Sequence, residues 1–381
     1  MKEIELPLLD ELKDRMKEKK PLIQVICGPR QVGKSTSLQQ FCDNYLKPHQ
    51  FHSVSGDGVA HASWIMEQWQ IARDKKQILI IDEIQKIPGW SEVVKRLWDE
   101  GIRKKEIIKC ILTGSSSLSL QKGLSDSLTG RFELISVTHW GFAQSCELKK
   151  MTVDDYIMYG GYPGSYRFIS DKKRWINYMT QSIVETVITK DILTQANVKS
   201  PALFRQSFYM FASVPAQVVS YHKLLGQLQD KGNIDLIKYY LNLFENAFLI
   251  RTIQKYSKNE IRKKASSPKI IVMSPALSSF HRLDNLDQTA KGRIFESMVG
   301  AELIRENFEP FYWAEGDYEV DYILEYKQKI IAIEVKSGSH KKANSLQKFL
   351  QKYPEAHPIF ITKENFGSFS KDITGFLDKL I

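Results

Sequence analysis

The chain has 381 residues, 43% of them hydrophobic, enough to fill more than one core and to exclude disorder as the default. Lys plus Arg is 54 against 44 for Asp plus Glu, and the formal charge of +10 favours polyanions such as DNA or, on the plainer reading, describes a solvated basic surface. No run reaches the roughly 18 consecutive apolar residues of a membrane span, and the opening Met1-Lys2-Glu3-Ile4-Glu5 lacks a signal peptide's apolar core, so the expectation is a cytoplasmic chain away from membranes.

In chain order, residues 22–27 read as a buried strand and residues 35–45 as a helix. A weak strand follows at 50–54, a helix at 60–73, a strand at 78–81 and a helix at 90–100. Strands at 107–113 and 132–137 complete the set. Strands alternating with helices imply crossover units and a parallel sheet covered on both faces. Cys27 and Cys110 fall in strand-like runs, and with Cys42 and Cys146 they are too widely spaced for a metal motif, so all four read as reduced packing residues.

From about residue 151 the pattern becomes mainly helical, broken at Gly160-Gly161-Tyr162-Pro163-Gly164, Pro201 and Pro215. Residues 222–229, a turn at Lys231-Gly232-Asn233 and residues 234–248 form a helix-turn-helix pattern. Residues 249–256 and 269–273 would form a wing. The alternative for this middle segment is a plain helical lid. Its lysines and arginines (Lys223, Lys231, Lys238, Lys255, Lys258, Arg262, Lys263, Lys264) suit phosphate contacts. A helix at 293–306 then leads into strands at 311–313, 319–324, 330–336 and 358–361. The expected fold class is α/β, with a P-loop parallel-sheet domain over 1–150, a helical, winged-helix-like middle over 151–285 and an α/β nuclease-like domain over 286–381.

Gly28-Pro29-Arg30-Gln31-Val32-Gly33-Lys34-Ser35 fits G-x-x-x-x-G-K-S between a strand and a helix, the context that a phosphate loop requires. Its amides and the helix start would cradle phosphates through to Thr36. Lys34 would meet the β- and γ-phosphates, and Ser35 would offer its hydroxyl to Mg²⁺. The strand at 78–81 delivers Asp82 and Glu83 at its exit, where ligands bind in parallel sheets. Asp82 would hold the Mg²⁺ shell, and Glu83 would orient the attacking water. Thr113 or Ser115, at a third strand exit, would touch the γ-phosphate or that water. Arg131 is either an arginine finger or a surface arginine at a strand start. No guanine-reading motif is evident, which favours ATP.

Together these residues resemble the AAA+ superfamily. The nearer resemblance is to prokaryotic ATPases with a G-P-R-Q-x-G-K-[ST] loop, a D-E-[IV]-Q strand exit (Asp82-Glu83-Ile84-Gln85), a T-G-S strand end (Thr113-Gly114-Ser115), the Gly130-Arg131 pair and the Gly-Gly-Tyr-Pro turn. The resemblance covers nearly the whole chain. It implies a C-terminal domain of unknown function that combines winged-helix-like and restriction-endonuclease-like parts. Two places depart from the pattern. Thr138-His139-Trp140-Gly141-Phe142 replaces a Pro-Leu-Ser/Thr run, and Ser274-Pro275-Ala276-Leu277 replaces an Asp-x-Gly-Leu turn.

In the tail, Asp321 and Glu334-Val335-Lys336 resemble the PD-(D/E)xK nuclease signature. A hairpin turning about Lys327-Gln328 would set Asp321 across from Glu334. Those two, with helical Glu296 as the additional acidic ligand that the resemblance implies, would hold a second Mg²⁺ or Mn²⁺, and Lys336 would act on water. Charged residues on an edge strand are the plainer reading. The expected function is an ATP- and Mg²⁺-dependent ATPase acting on nucleic acid, with metal-dependent cleavage by the tail in prospect. The alternative is a signalling or defence ATPase whose C-terminal half only binds a protein partner.

Overall fold

The apolar runs of the first third assemble one parallel sheet in a computed structural model that describes residues 4, 6–114, 120, 123–228, 233–257, 266–336 and 343–381. The chain divides into two units, residues 1–138 with 189–196, and residues 139–188 with 197–381.

The first unit opens with α1 (Pro7–Lys17), which buries Leu8, Leu9, Leu12 and Met16 at helical spacing. Pro7 stands in its first turn, a start signal legible in the sequence, where no element was expected. There follow β1 (Ile23–Cys27), α2 (Lys34–Tyr45), β2 (Phe51–Ser55), α3 (Ser63–Asp74), β3 (Ile78–Asp82), α4 (Trp90–Lys104), β4 (Cys110–Gly114) and β5 (Phe132–Ser136). The strands lie in the order β2-β3-β4-β1-β5, and every pair is parallel. β1 and β4 are buried along their whole length, as expected for central strands with both faces covered. Each fully buried Ile, Val or Leu there contributes about 1.5–3 kcal/mol. The third apolar run, expected as a strand from residue 107, enters the ladder later, because pairing with β3 begins where the Lys109 carbonyl accepts the Leu79 amide at 2.9 Å. Registers Cys27↔Gly114 and Ile81↔Leu112 bring the exits of β1, β4 and β3 to one edge.

The second unit contains α5 (Phe142–Lys149), α6 (Val153–Tyr159), α7 (Lys172–Asn177), α8 (Pro201–Ala212), β6 (Gln217–Val218), α9 (Tyr221–Gln227), α10 (Ile234–Asn246), β7 (Ile250–Ile253) and β8 (Lys269–Val272). Asn233 caps α10, accepting the Leu236 amide at 3.0 Å. β8 lies between β6 and β7, antiparallel to both. After α11 (Pro275–Ser279) and the long α12 (Gln288–Arg305) come β9 (Phe311–Glu315), β10 (Tyr318–Tyr326), β11 (Lys329–Lys336), α13 (Ala343–Lys352), β12 (His357–Thr362), α14 (Phe366–Lys371) and α15 (Ile373–Asp378). Their sheet runs β12-β11-β10-β9, antiparallel except for the parallel β11–β12 pair.

Alternation sorts this second sheet into two faces. Tyr322, Leu324, Ile331 and Ile333 pack with Phe295, Met298 and Val299 of α12. Ile323 and Ala332 pack with Leu346 and Phe349 of α13. The α12 core also takes in Tyr156, Ile157, Ile253 and Ile271, so the helical middle and the tail share one apolar cluster. The two departures from the resemblance meet at one turn. His139 Nε2 lies 2.8 Å from the Tyr162 hydroxyl, and the Ser274 hydroxyl donates to the Gly160 carbonyl at 2.8 Å.

Candidate functional site

Residues 28–35 form the link between β1 and α2. Gly28 has no room for a side chain, because a Cβ there would lie 2.2 Å from the Val137 carbonyl oxygen. Gly33 takes φ +95° at the start of α2, a conformation that a side chain would strain. Pro29 and Val32 are buried; Gln31, Ser35 and Thr36 are exposed. Lys34 is only 7% exposed, and its Nζ donates to the carbonyl oxygens of Gly28 at 2.8 Å and Pro29 at 2.6 Å. Burial pushes its ammonium down to about 8, against the upward pull of Cys27, Glu83 and Asp82. A cation whose contacts are neutral carbonyls stands at the start of α2, a helix end whose amides favour anions.

β3 delivers the acidic pair to the same edge. The Ser35 hydroxyl donates to Asp82 Oδ2 at 3.0 Å, so the loop and the strand exit are in direct contact. Asp82 Oδ1 accepts from the fully buried Thr113 hydroxyl at the end of β4, and from the Glu83 amide at 3.0 Å. Glu83 itself adopts φ +54°, left-handed backbone that costs a non-glycine residue free energy and gathers at functional sites. Its Oε2 accepts from Gln85 Nε2 at 2.7 Å and lies 3.7 Å from Lys86 Nζ. The edge therefore unites Lys34, Ser35, Asp82, Glu83 and Thr113, while Ser115 lies outside the described residues. These groups fit Mg²⁺-nucleotide: a hydroxyl and a carboxylate already 3.0 Å apart, beside an undercompensated lysine.

Arg30 grips Asp191 through Nε at 2.7 Å and Nη2 at 2.6 Å, and this hydrogen bond raises the guanidinium further above its already high range. Asp191 is buried and belongs to the 189–196 segment of the first unit. No local motif could have announced a partner 161 residues away. Arg131 is not brought to the phosphate edge. It immediately precedes β5, and its carbonyl accepts the amide of Ile23, the first residue of β1. That is the amino end of the sheet, a strand length (roughly 15 Å) from the loop. There it forms a forked pair with Asp99 of α4, at 2.7 and 3.0 Å.

The tail signature is only partly assembled. Lys327 and Gln328, with φ +47° and +64°, make the expected tight turn, and the ladder runs from Tyr326↔Lys329 to Tyr322↔Ile333. On its other side β10 pairs with β9, and that register shifts between Val320 and Ile323; Asp321 Oδ2 accepts the Val335 amide at 2.8 Å. Asp321 gathers with Glu296 and with Glu319, which the sequence reading passed over; Glu334, buried on β11, is not in that carboxylate group. Alternation puts Glu334 on the face of Ala332, and Lys336 Nζ lies 4.2 Å from the Phe360 ring centroid. In the centre of the three carboxylates is a fully buried cation that the sequence reading took for a strand residue, Lys269 of β8. Its Nζ lies 2.6 Å from Glu296 Oε1, 2.9 Å from Glu319 Oε1 and 3.8 Å from Asp321 Oδ1. Burial alone would lower this ammonium, but Glu296, Asp321 and Glu319 outweigh it and hold it well above its usual range.

Of the basic residues assigned to nucleic acid, Lys223 on α9 and Lys238 on α10 are exposed and Lys255 is half-buried. Lys231, Lys258, Arg262, Lys263 and Lys264 lie outside the described residues.

Comparison with known proteins fits this geometry. Residues 20–146 match the family model of an AAA domain. Residues 150–289 and 291–374 match two further models, each of a domain of unknown function. An uncharacterized protein of Haemophilus influenzae is 25% identical over 359 residues, covering 85% of this chain and 86% of that one. Another, of Methanocaldococcus jannaschii, is 25% identical over 333 residues, covering 79% and 72%. Among solved structures, a Walker-type ATPase of Pyrococcus abyssi aligns with TM-score 0.47 and 14% identity over 72% of this chain and 94% of that one. The first unit has the fold of an AAA-type P-loop ATPase.

Proposed function

We propose that the chain binds ATP with Mg²⁺ at the β1–α2 loop and hydrolyses it. The observation that carries this is the junction of loop and strand exit: Ser35 on Asp82, with Lys34 buried beside them on neutral carbonyls and Glu83 next in sequence. Ser35 and Asp82 would hold Mg²⁺, which supplies positive charge to the β- and γ-phosphates. Amides of residues 30–35 and the Lys34 ammonium would bind those phosphates. Glu83 would orient a water and accept its proton, and Thr113 would keep Asp82 turned toward the loop. Glu83→Gln keeps the shape and removes the base. ATP binding is expected to persist while hydrolysis falls on the order of a hundredfold. Hydrolysis at the wild-type rate in a single-turnover assay would remove Glu83 from the mechanism.

For the partner we propose nucleic acid, supported by the +10 charge and by exposed Lys223 and Lys238 on the α9–α10 pair. We further propose three functional segments, 1–150, 151–285 and 286–381, which the three family-model matches support. ATP hydrolysis stimulated by duplex or single-stranded DNA, and less so as salt rises, is the expected result. Hydrolysis indifferent to DNA would favour the switch that acts on a protein partner. Cleavage by the tail is left out of the proposal, because Lys269 stands where the cation of a carboxylate centre would be.

A further inference from the structure

The nuclease-like signature of the tail implies a divalent metal held by carboxylates. We infer instead that the Glu296–Glu319–Asp321 centre is closed by Lys269, whose ammonium is its resident cation, and that removing this side chain uncovers a latent Mg²⁺ or Mn²⁺ site.

The geometry of the ammonium is the first argument. It donates hydrogen bonds to Glu319 Oε1 at 2.9 Å and to the Asp321 carbonyl at 3.2 Å, and forms an ion pair with Glu296 Oε1 at 2.6 Å. The second argument is burial. Lys269 and Asp321 are both 0% exposed, and Glu296 is 6% exposed. Of the three carboxylates only Glu319 reaches solvent, and a divalent ion in the same space would drive the buried ammonium off its acceptors, leaving a costly unpaired charge. Backbone geometry limits retreat as well, because Lys269 pairs with Val218 on one side and Ile253 on the other.

Charge gives a third argument. Arg293 Nη1 lies 3.3 Å from Glu296 Oε2, so Lys269 and Arg293 together bring the two positive charges that one divalent ion would bring. The second Asp321 oxygen is committed to the Val335 amide. Lys269 Nζ also lies 5.1 Å from the Tyr322 ring centroid, and the Tyr322 hydroxyl donates to the Glu296 carbonyl at 2.7 Å, so aromatic and helical partners enclose the cluster. The physical result is a buried ionic tie between the β6-β8-β7 sheet, α12 and the β12-β11-β10-β9 sheet. The hard oxygen ligands that suit Mg²⁺ or Mn²⁺ are present, but the position among them is taken.

The test uses the whole chain without nucleotide, with Mn²⁺ alone as the probe. Mn²⁺ binding, read by electron paramagnetic resonance, and melting temperature are followed in the wild type and in Asp321→Asn. The two titrations are expected to coincide, since whatever Mn²⁺ the Ser35–Asp82 edge takes is common to both. In Lys269→Met the melting temperature should fall, and Mn²⁺ should then raise it on the order of 5 °C through linkage. That rise should vanish when Asp321→Asn is added. Mn²⁺ that stabilises the wild type but not Asp321→Asn would overturn the inference, as would a folded Lys269→Met that ignores Mn²⁺. Should Lys269→Met fail to fold, the comparison of wild type with Asp321→Asn decides alone.

Discussion

Lys34 and Lys269 are both withdrawn from water, and both stand near carboxylates, yet their charges are held in opposite ways. Lys34 touches two neutral carbonyls, and burial brings its ammonium down to about 8. Lys269 sits among three carboxylates that lift it well above the usual range. A buried cation short of counter-charge gains when an anion arrives, whereas one already compensated gains nothing and holds the fold. The electrostatic deficit, rather than burial or the residue type, is what distinguishes Lys34, the proposed phosphate lysine, from Lys269.

The same substitution made at each lysine should act in opposite directions. In nucleotide-free protein, Lys269→Met should cost about 3–5 kcal/mol, the usual loss when one partner of a buried ion cluster is removed. Lys34→Met should leave the unfolding free energy unchanged or slightly raised, because it removes an undercompensated charge. ATP affinity should respond the other way, falling on the order of a hundredfold in Lys34→Met and staying level in a folded Lys269→Met. Denaturant melts and nucleotide titrations of both variants check this. Equal stability losses at the two positions would end the distinction.

The deficit at Lys34 also predicts a pH dependence. The groups that face it are Cys27, Glu83, Asp82 and Arg30, and burial pushes the Cys27 thiol up to about 11, so that thiol stays neutral below pH 9. The folded, nucleotide-free Lys34 releases its proton near pH 8, well below the roughly 10.4 of an unfolded lysine. Between those values the unfolded chain binds more protons, so this group's contribution to stability rises with pH. Bound phosphate reverses the preference by holding the ammonium charged. ATP affinity in EDTA, which removes any metal, should fall about tenfold from pH 7.5 to pH 9, with proton uptake on binding. Calorimetry in buffers of different ionisation enthalpy checks the uptake. A flat profile would mean that Lys34 stays charged without its anion.

What could be read from the sequence follows the range over which each feature is encoded. The phosphate loop spans eight adjacent residues, and Asp82-Glu83 lies at the exit of an apolar run, so strand, loop and site were legible together. The Lys327-Gln328 turn was legible because a period of two fixes the register on both sides. Lys269 was not. It opens the strand Lys-Ile-Ile-Val and reads as a charge at a strand end, and only packing against residues 27 to 52 positions later in the chain buries it. Asp191 was hidden for the same reason, 161 residues from Arg30. The hairpin register that sets Asp321 across from Glu334 holds in the β10–β11 ladder as far as Tyr322↔Ile333, and what the sequence hid is the shift between Val320 and Ile323 in the pairing of β10 with β9. A bulge costs one residue of register and leaves little local signature.

The smallest expected effect belongs to Arg131, and it tests whether position along the sheet decides function in the same way as charge does. Arg131 lies at the amino end of β5 and its forked partner Asp99 is on α4, so it is turned away from the loop that follows β1 in the same chain. The pair is half-exposed, and hydrogen bonding to Asp99 raises the guanidinium. Solvent screening makes such pairs weak, so Arg131→Ala should shift the melting temperature by about a degree. Hydrolysis should stay within about twofold of wild type at every protein concentration, since no group at the Ser35–Asp82 edge is altered. The informative result would be a wild-type rate per chain that climbs with concentration and an Arg131→Ala rate that does not. The arginine would then act on nucleotide held by another copy, where its distance from its own phosphate loop is no obstacle.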